Sequence, residues 1–330
     1  MKPPFPSIID ATMLSAFREC PQKFLMAYMQ HWKPKGESVH LHAGGAFARG
    51  LEVARRGYFE ENMPGELAVA RGANALMEAY GDFEAPEFGS GSVKTIERMV
   101  GALEFYFAEW PLDNGIEPIV MPSGRRAIEF SFAEPLPFNN PETGEPVIYC
   151  GRTDMICRFA EGTYLEDDKT STSLGEAWAK KWELRSQFTG YAWAAARASI
   201  PVNGVLVRGV SILKTKYGRA EAVTNRSQWE IDRWLEQVIR DLRRIEACWQ
   251  EGYWDYNLAD ACDSYGGCQF VPICKSPTPN DWLPMNFERR QWDPLERTEH
   301  LLDSPVTGGA SGLDESEPLY LQQLRASVRA

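Results

Sequence analysis

The chain has 330 residues, of which 44% are hydrophobic and 25% charged. That is ordinary globular composition, enough for one large domain or two modest ones, and it excludes disorder throughout. The net charge of −11, from 35 basic and 46 acidic residues, argues against a protein that coats nucleic acid by bulk attraction, provided the charge is evenly spread. No run of about 18 uncharged apolar residues occurs. The first residues, MKPPFPSIIDATM, lack the apolar stretch of a signal peptide. A soluble, cytoplasmic protein with no membrane partner is therefore expected. Seven cysteines in a reducing compartment, in a chain this large, do not read as a disulfide framework. Core thiols, metal ligands or a nucleophile remain.

From residue 8 to about 112 the chain reads as helical, with apolar residues at helical spacing in Met13, Leu14 and Phe17 and again in Phe24, Leu25 and Tyr28. A proline costs about 3 kcal/mol inside a helix but little at its start, so the first helix breaks at Cys20-Pro21 and another begins there. Further helices are predicted over roughly 44–62, 65–82 and 92–110, the first opening on Gly44-Gly45. The texture then changes. Residues 127–132 alternate, 147–157 are apolar and rich in β formers, and 162–169 follow a short turn, which predicts an antiparallel meander. A helix over 183–198, strands at 204–214 and near 219–224, and a long amphipathic helix from Gln228 to about Gln250 complete a mixed α/β core. Residues 259–277, rich in Cys, Gly and Pro, look like a loop held by ligands. Residues 304–312 have linker composition, and 318–329 have the pattern of one amphipathic helix. This divides the chain into a helical part (1–115), a core (116–255), a cysteine segment (256–277) and an extension (278–330).

On the strand around 164–169, Leu165, Asp167 and Lys169 share one face, and Tyr164, Glu166 and Asp168 the other. Three consecutive acids are unfavourable in a strand and need compensation. The preceding strand carries Asp154 in Gly151-Arg-Thr-Asp, and in a tight hairpin Asp154 and Asp167 come side by side. Two such carboxylates repel, and a divalent cation is the simplest agent that keeps both ionised. Lys169 then lies where it can contact a water nucleophile or a phosphate oxygen. On the next helix Gln187 and Tyr191 stand at i and i+4. An isolated Asp-x-Lys would read as a solvated edge strand; the three elements together do not.

Gly151 to Asp154 on one strand, Asp167, Lys169 and Thr170 on the next, and Gln187 with Tyr191 on the following helix resemble the PD-(D/E)xK nuclease superfamily, and within it the RecB-like exonuclease branch. The resemblance spans roughly residues 8 to 277. It implies an α/β fold with a mixed central sheet flanked by helices. It implies Asp154 and Asp167 as Mg2+ or Mn2+ ligands, Lys169 as the catalytic lysine, and Gln187 and Tyr191 as positioning residues. Glu166 rivals Asp167 for the acidic position but points to the face opposite Lys169. In this branch an early helix usually supplies a histidine ligand after Gly-x-x-x, and here that position is Ala48. Glu52, one turn on, could substitute but reads as structural, and His40 and His42 rank lower.

From Lys169 to Arg219 nine basic residues face two acidic ones, +7 in a chain of −11, and Trp178 and Trp182 interleave with Lys180-Lys181. A basic groove with aromatic platforms suits single-stranded nucleic acid, where stacking is worth about 1–3 kcal/mol per base; the competing expectation is that at least one tryptophan is core. Cys262, Cys268 and Cys274 stand in Cys-x5-Cys-x5-Cys, whereas Cys150, Cys157 and Cys248 read as core thiols. The RecB-like resemblance joins Cys20, in Cys-Pro-x-Lys-Phe, to those three as a four-cysteine staple for a [4Fe-4S] cluster, as in CRISPR-associated iron-sulfur exonucleases and the AddB nuclease domain. Four thiolates also suit Zn2+. The implied activity is metal-dependent exonuclease action on DNA, at single-stranded ends, by a metal-activated water, in recombination, repair, phage replication or CRISPR-related processing. A recombination or CRISPR-related protein partner, and a phage-encoded enzyme acting in the host cytoplasm, fit that setting. The alternatives are a DNA-end binding module without turnover, motivated by Ala48, and a zinc-stapled interaction domain.

Overall fold

The computed structural model describes residues 2–36, 38–83, 93–121, 123–258, 260–263 and 267–295. Asp10 caps the first helix by accepting the Met13 amide at 2.7 Å, which leaves the β-branched pair Ile8-Ile9 outside it. Those residues form β1 (Ile8–Asp10) instead of the expected start of a helix. Helix α1 (Ala11–Glu19) ends before Pro21, the first residue of α2 (Pro21–Phe24), as the sequence predicts. A π-helical turn (Leu25–Met29) and β2 (Trp32–Pro34) follow. Then come α3 (Val39–Phe59), α4 (Gly65–Tyr80) and α5 (Ile96–Glu109). Helices α3 and α4 touch backbone to backbone: a Cβ on Gly72 would stand 2.5 Å from the Gly50 carbonyl oxygen.

Strands β3 (Glu117–Pro118), β4 (Ile128–Asn139), β5 (Pro146–Phe159), β6 (Gly162–Ser171), β7 (Gly204–Ile212) and β8 (Tyr217–Asn225) join β1 in one mixed sheet. The long strand β5 is its hub, antiparallel to β3, β4 and β6 and parallel to β1. The meander is therefore β4-β5-β6. Strand β7 runs parallel to β6, with α6 (Glu176–Lys180) and α7 (Ser186–Arg197) in the crossover, and pairs antiparallel with β8. Helix α8 (Gln228–Glu251) opens with a reciprocal capping box between Ser227 and Glu230 and stops at Gly252, in the left-handed conformation.

Tyr149, Ile156, Leu165 and Val207 on one face of the sheet pack with Phe17, Phe188 and Trp234 from α1, α7 and α8. Val210 and Ile212 on the other pack with Leu51, Leu103 and Tyr106 from α3 and α5. This is the expected class, a mixed sheet flanked by helices. The C-terminal part adds α9 (Val271–Cys274), α10 (Pro279–Asn286) and β9 (Phe287–Arg289). Strand β9 pairs with β2, and Met26 packs among Phe270, Ile273, Leu283 and Phe287. Residues 304–312 and 318–329 lie outside the described residues. No described helix is long and apolar enough to cross a membrane.

Two of the three acids on β6 turn toward α3 and α5. Glu166 is fully buried, and its Oε1 accepts from Arg55 at 2.5 Å, Arg208 at 3.2 Å and the Tyr106 hydroxyl at 3.2 Å. Arg55 also pairs with Asp168 at 2.8 Å. The compensation that the sequence demands on this face comes from arginines. Glu166→Ala would leave Arg55 with Asp168 and Arg208 with the half-exposed Glu221, at 3.2 Å, without the buried carboxylate that joins them, so we expect it to lower the unfolding free energy by about 3 kcal/mol, measured by urea denaturation.

Candidate active site

The remaining acid of β6, Asp167, turns to the opposite face. The β5–β6 ladder pairs Met155 with Glu166, so the next rung sets Asp154 beside Asp167. The Asp168 amide donates to Asp154 Oδ2 at 2.7 Å and fixes that carboxylate. The Lys169 ammonium contacts the Asp167 carboxylate, and its side chain stays about one-third exposed. Burial pushes the Asp167 carboxyl up to about 7; Lys169 opposes that shift and Asp154 adds to it. Burial likewise raises Asp154. Although burial works against its charge, Lys169 is held above the usual ammonium range by Asp167 and Asp154.

Helix α7 brings the other two residues. Gln187 Nε2 donates to the Tyr191 hydroxyl at 2.9 Å, and the Tyr191 ring meets Phe132 edge to face at 5.4 Å. Gly151 is what lets this ring approach the strand: a Cβ there would stand 2.7 Å from both aromatic rings. All five side chains line one cavity of about 290 Å3, together with Asp10, Arg152 and residues 292–295.

Two facing carboxylates with one ammonium leave the cavity with a surplus of negative charge. Asp167 Oδ2 is buried with no partner beyond the Lys169 contact. This hard-oxygen pair fits a divalent cation whose other ligands come from water and substrate. Among the described residues no group of three or more His, Cys, Asp or Glu side chains is placed to hold a metal ion unaided.

Cys20, Cys262, Cys268 and Cys274 converge on a second, small recess, joined by Met26, Phe270 and Val271. The loop carrying Cys262 is docked on the Cys20 turn by Gln22 N–H to the Asp255 carbonyl at 3.1 Å and Asn257 Nδ2 to the Glu19 carbonyl at 2.8 Å. The Cys268 amide donates to the Cys262 carbonyl at 2.8 Å. Burial, and then Cys268, Cys20 and Cys262, push the Cys274 thiol up to about 11. Four thiols without a carboxylate or imidazole among them have the chemistry that suits a thiolate-bound cluster or zinc, but as placed they do not form a group that could hold a metal ion.

A model of the PD-(D/E)XK nuclease superfamily matches residues 10–275, most of the chain and both of these sites. The chain belongs to this superfamily. No curated protein sequence matches it. Among solved structures, a candidate exonuclease from Eubacterium rectale is 12% identical, with 78% of this chain and 86% of that one covered and a TM-score of 0.45. The protein SSO0001 is 16% identical, with 58% and 74% covered and a TM-score of 0.26. Scores this low carry nothing about substrate.

For a PD-(D/E)XK nuclease the substrate class is nucleic acid, DNA foremost. Neither Ala48 nor Glu52 lines the carboxylate cavity. Glu52 is instead held between Arg49 at 2.9 Å and Arg56 at 3.2 Å, the structural place expected of it. Trp178 and Trp182 are both buried, only 5% exposed, so neither is a base platform. Nor do the nine basic residues form one groove. Arg208 is committed to Glu166, Arg197 to Glu134 at 3.5 Å and Arg219 to Glu109 at 2.9 Å. Cys248 is half-buried on α8, less enclosed than Cys150 and Cys157.

Sequence reasoning did not place Asp10 or Trp292 in the site. Asp10 Oδ2 accepts from Trp292 Nε1 at 3.0 Å, which ties residues 292–295 across the cavity from α1. No local pattern marked either residue for the site.

Proposed function

We propose that this PD-(D/E)XK nuclease is an exonuclease of DNA that acts at single-stranded ends with Mg2+ or Mn2+. The observation that carries the reading is the facing pair Asp154 and Asp167 with Lys169 on the same face of adjacent strands, at the base of one cavity. Asp154 and Asp167 would hold the cation, which when bound supplies Lewis-acid stabilisation of the phosphate in its transition state. Lys169 faces the cavity as a charged donor for the attacking water or a phosphate oxygen. The Asp168 amide orients Asp154, and Gln187 orients Tyr191 beside that lysine. Residues 292–295 wall a cavity of about 290 Å3, which suits a strand end better than an intact duplex. Cys20, Cys262, Cys268 and Cys274 would hold a [4Fe-4S] cluster with a structural role.

The test compares linear and covalently circular single-stranded DNA incubated with Mg2+ or Mn2+. Release of nucleotides from the linear form alone is the expected result. Equal cutting of circles would make the enzyme an endonuclease. Tight binding without any release would leave the binding module that Ala48 motivates.

A further inference from the structure

A cleft of about 510 Å3 lies between α1–α2 and the segment that leads into α7. It shares Ala11, Thr12 and Gln187 with the catalytic cavity, so the two adjoin. Five basic side chains line it against two acidic ones, Glu19 and Glu183. Three of the five are already matched: Arg18 by Asp241 at 2.6 Å, Lys23 by Glu19 at 2.8 Å and Lys180 by Glu176 at 2.6 Å. Lys181 and Arg185 have no carboxylate partner among the described residues.

We propose that Lys181 and Arg185 form a phosphate-binding subsite for the backbone of the substrate strand, upstream of the Asp154–Asp167 centre. The inference rests on the nuclease reading and gives the strand its path. The Lys181 ammonium sits 4.2 Å from the centroid of the Trp182 ring, and that ring is buried, so the charge has a rigid floor. Burial lowers the Lys181 pKa, and Arg185 and Lys169 lower it further. Lys181 thus sits in a field of like charge that a backbone phosphate would relieve. Leu184, 72% exposed on the same wall, offers apolar surface to a sugar or base, which favours a nucleotide chain over free phosphate. The tryptophans expected to stack bases therefore serve this path from beneath, by holding the lysine.

The experiment measures binding of fluorescein-labelled oligothymidylate by anisotropy in magnesium-free buffer, over a range of salt, for the wild type, Lys181→Ala/Arg185→Ala and Lys214→Ala. Lys214 belongs to the same basic stretch, is exposed and does not line the cleft. Loss of two phosphate contacts should weaken binding roughly tenfold and flatten the slope of log affinity against log salt by about 1.4, with Lys214→Ala near the wild type. Both variants replace exposed side chains, and unchanged melting temperatures would confirm intact folds. A double variant with the wild-type slope overturns the subsite, as does an equal loss in Lys214→Ala. Nucleotide release by the wild type, followed in parallel, tests the nuclease reading separately: its failure there leaves the anisotropy comparison to decide the subsite.

Discussion

Asp167→Asn should abolish cleavage, by roughly 10^3-fold or more, while raising the melting temperature of the metal-free protein at neutral pH. The first effect follows from removing one of the two proposed ligands to a cation that would contribute several kcal/mol to the transition state. The second follows from the charge balance. Asp154 and Asp167 share one ammonium, and the amide leaves Lys169 paired with Asp154 alone. The folded-state value of Asp167, about 7, lies above its ordinary 3.8. The native state therefore binds this proton more tightly than the unfolded chain does, and metal-free stability falls as pH rises from about 4 to about 7. The variant should lack that fall. Mg2+ should raise the melting temperature of the wild type and leave the variant unmoved, a comparison made by scanning fluorimetry. Equal magnesium shifts in both proteins would remove Asp167 from the metal site.

The second large effect is expected at the cysteines. Anaerobically purified wild type should be brown, with absorbance near about 400 nm, and Cys20→Ser, Cys262→Ser, Cys268→Ser and Cys274→Ser should each bleach it. Burial and three neighbouring thiols oppose ionisation of Cys274, so four thiolates would stay together there only around a bound centre. The pairing of β2 with β9 and the packing of Met26 on Phe270 and Phe287 hold the same two ends of the chain without any cluster. The serine variants should consequently fold and melt about 5–10 °C lower rather than unfold outright. A colourless wild type loaded with zinc would replace the cluster by a zinc staple. Serine variants with unchanged metal content and melting temperature would remove the cysteines from ligation altogether.

The face that carries the proposed centre was legible because a strand has a strict period of two: the alternation of Asp167 and Lys169, and the hairpin back to Asp154, need no distant residue. The opposite face was not. Glu166 is balanced by Arg55, 111 positions earlier, and no local pattern announces that pairing. Strand β1 was hidden because three residues are too short for periodicity, and the sequence reading ran the helix on from residue 8 where the structure caps it at Asp10. Trp178 and Trp182 alternate with lysines as a stacking groove would, yet their spacing of four also fits an inward helical face, and burial of large aromatic area decided between the two. The place of Trp292 depends on a hydrogen bond across 282 positions, beyond any sequence pattern.

The central claim is that Asp154, Asp167 and Lys169 form the nuclease centre. It is tested most directly by release of nucleotides from end-labelled single-stranded DNA, in Mg2+ or Mn2+, by wild type, Asp154→Asn and Lys169→Ala at matched melting temperature. Metal-dependent release by the wild type, and release at least about 10^3-fold slower by both variants, is the expected result. Variants as active as the wild type would contradict the assignment.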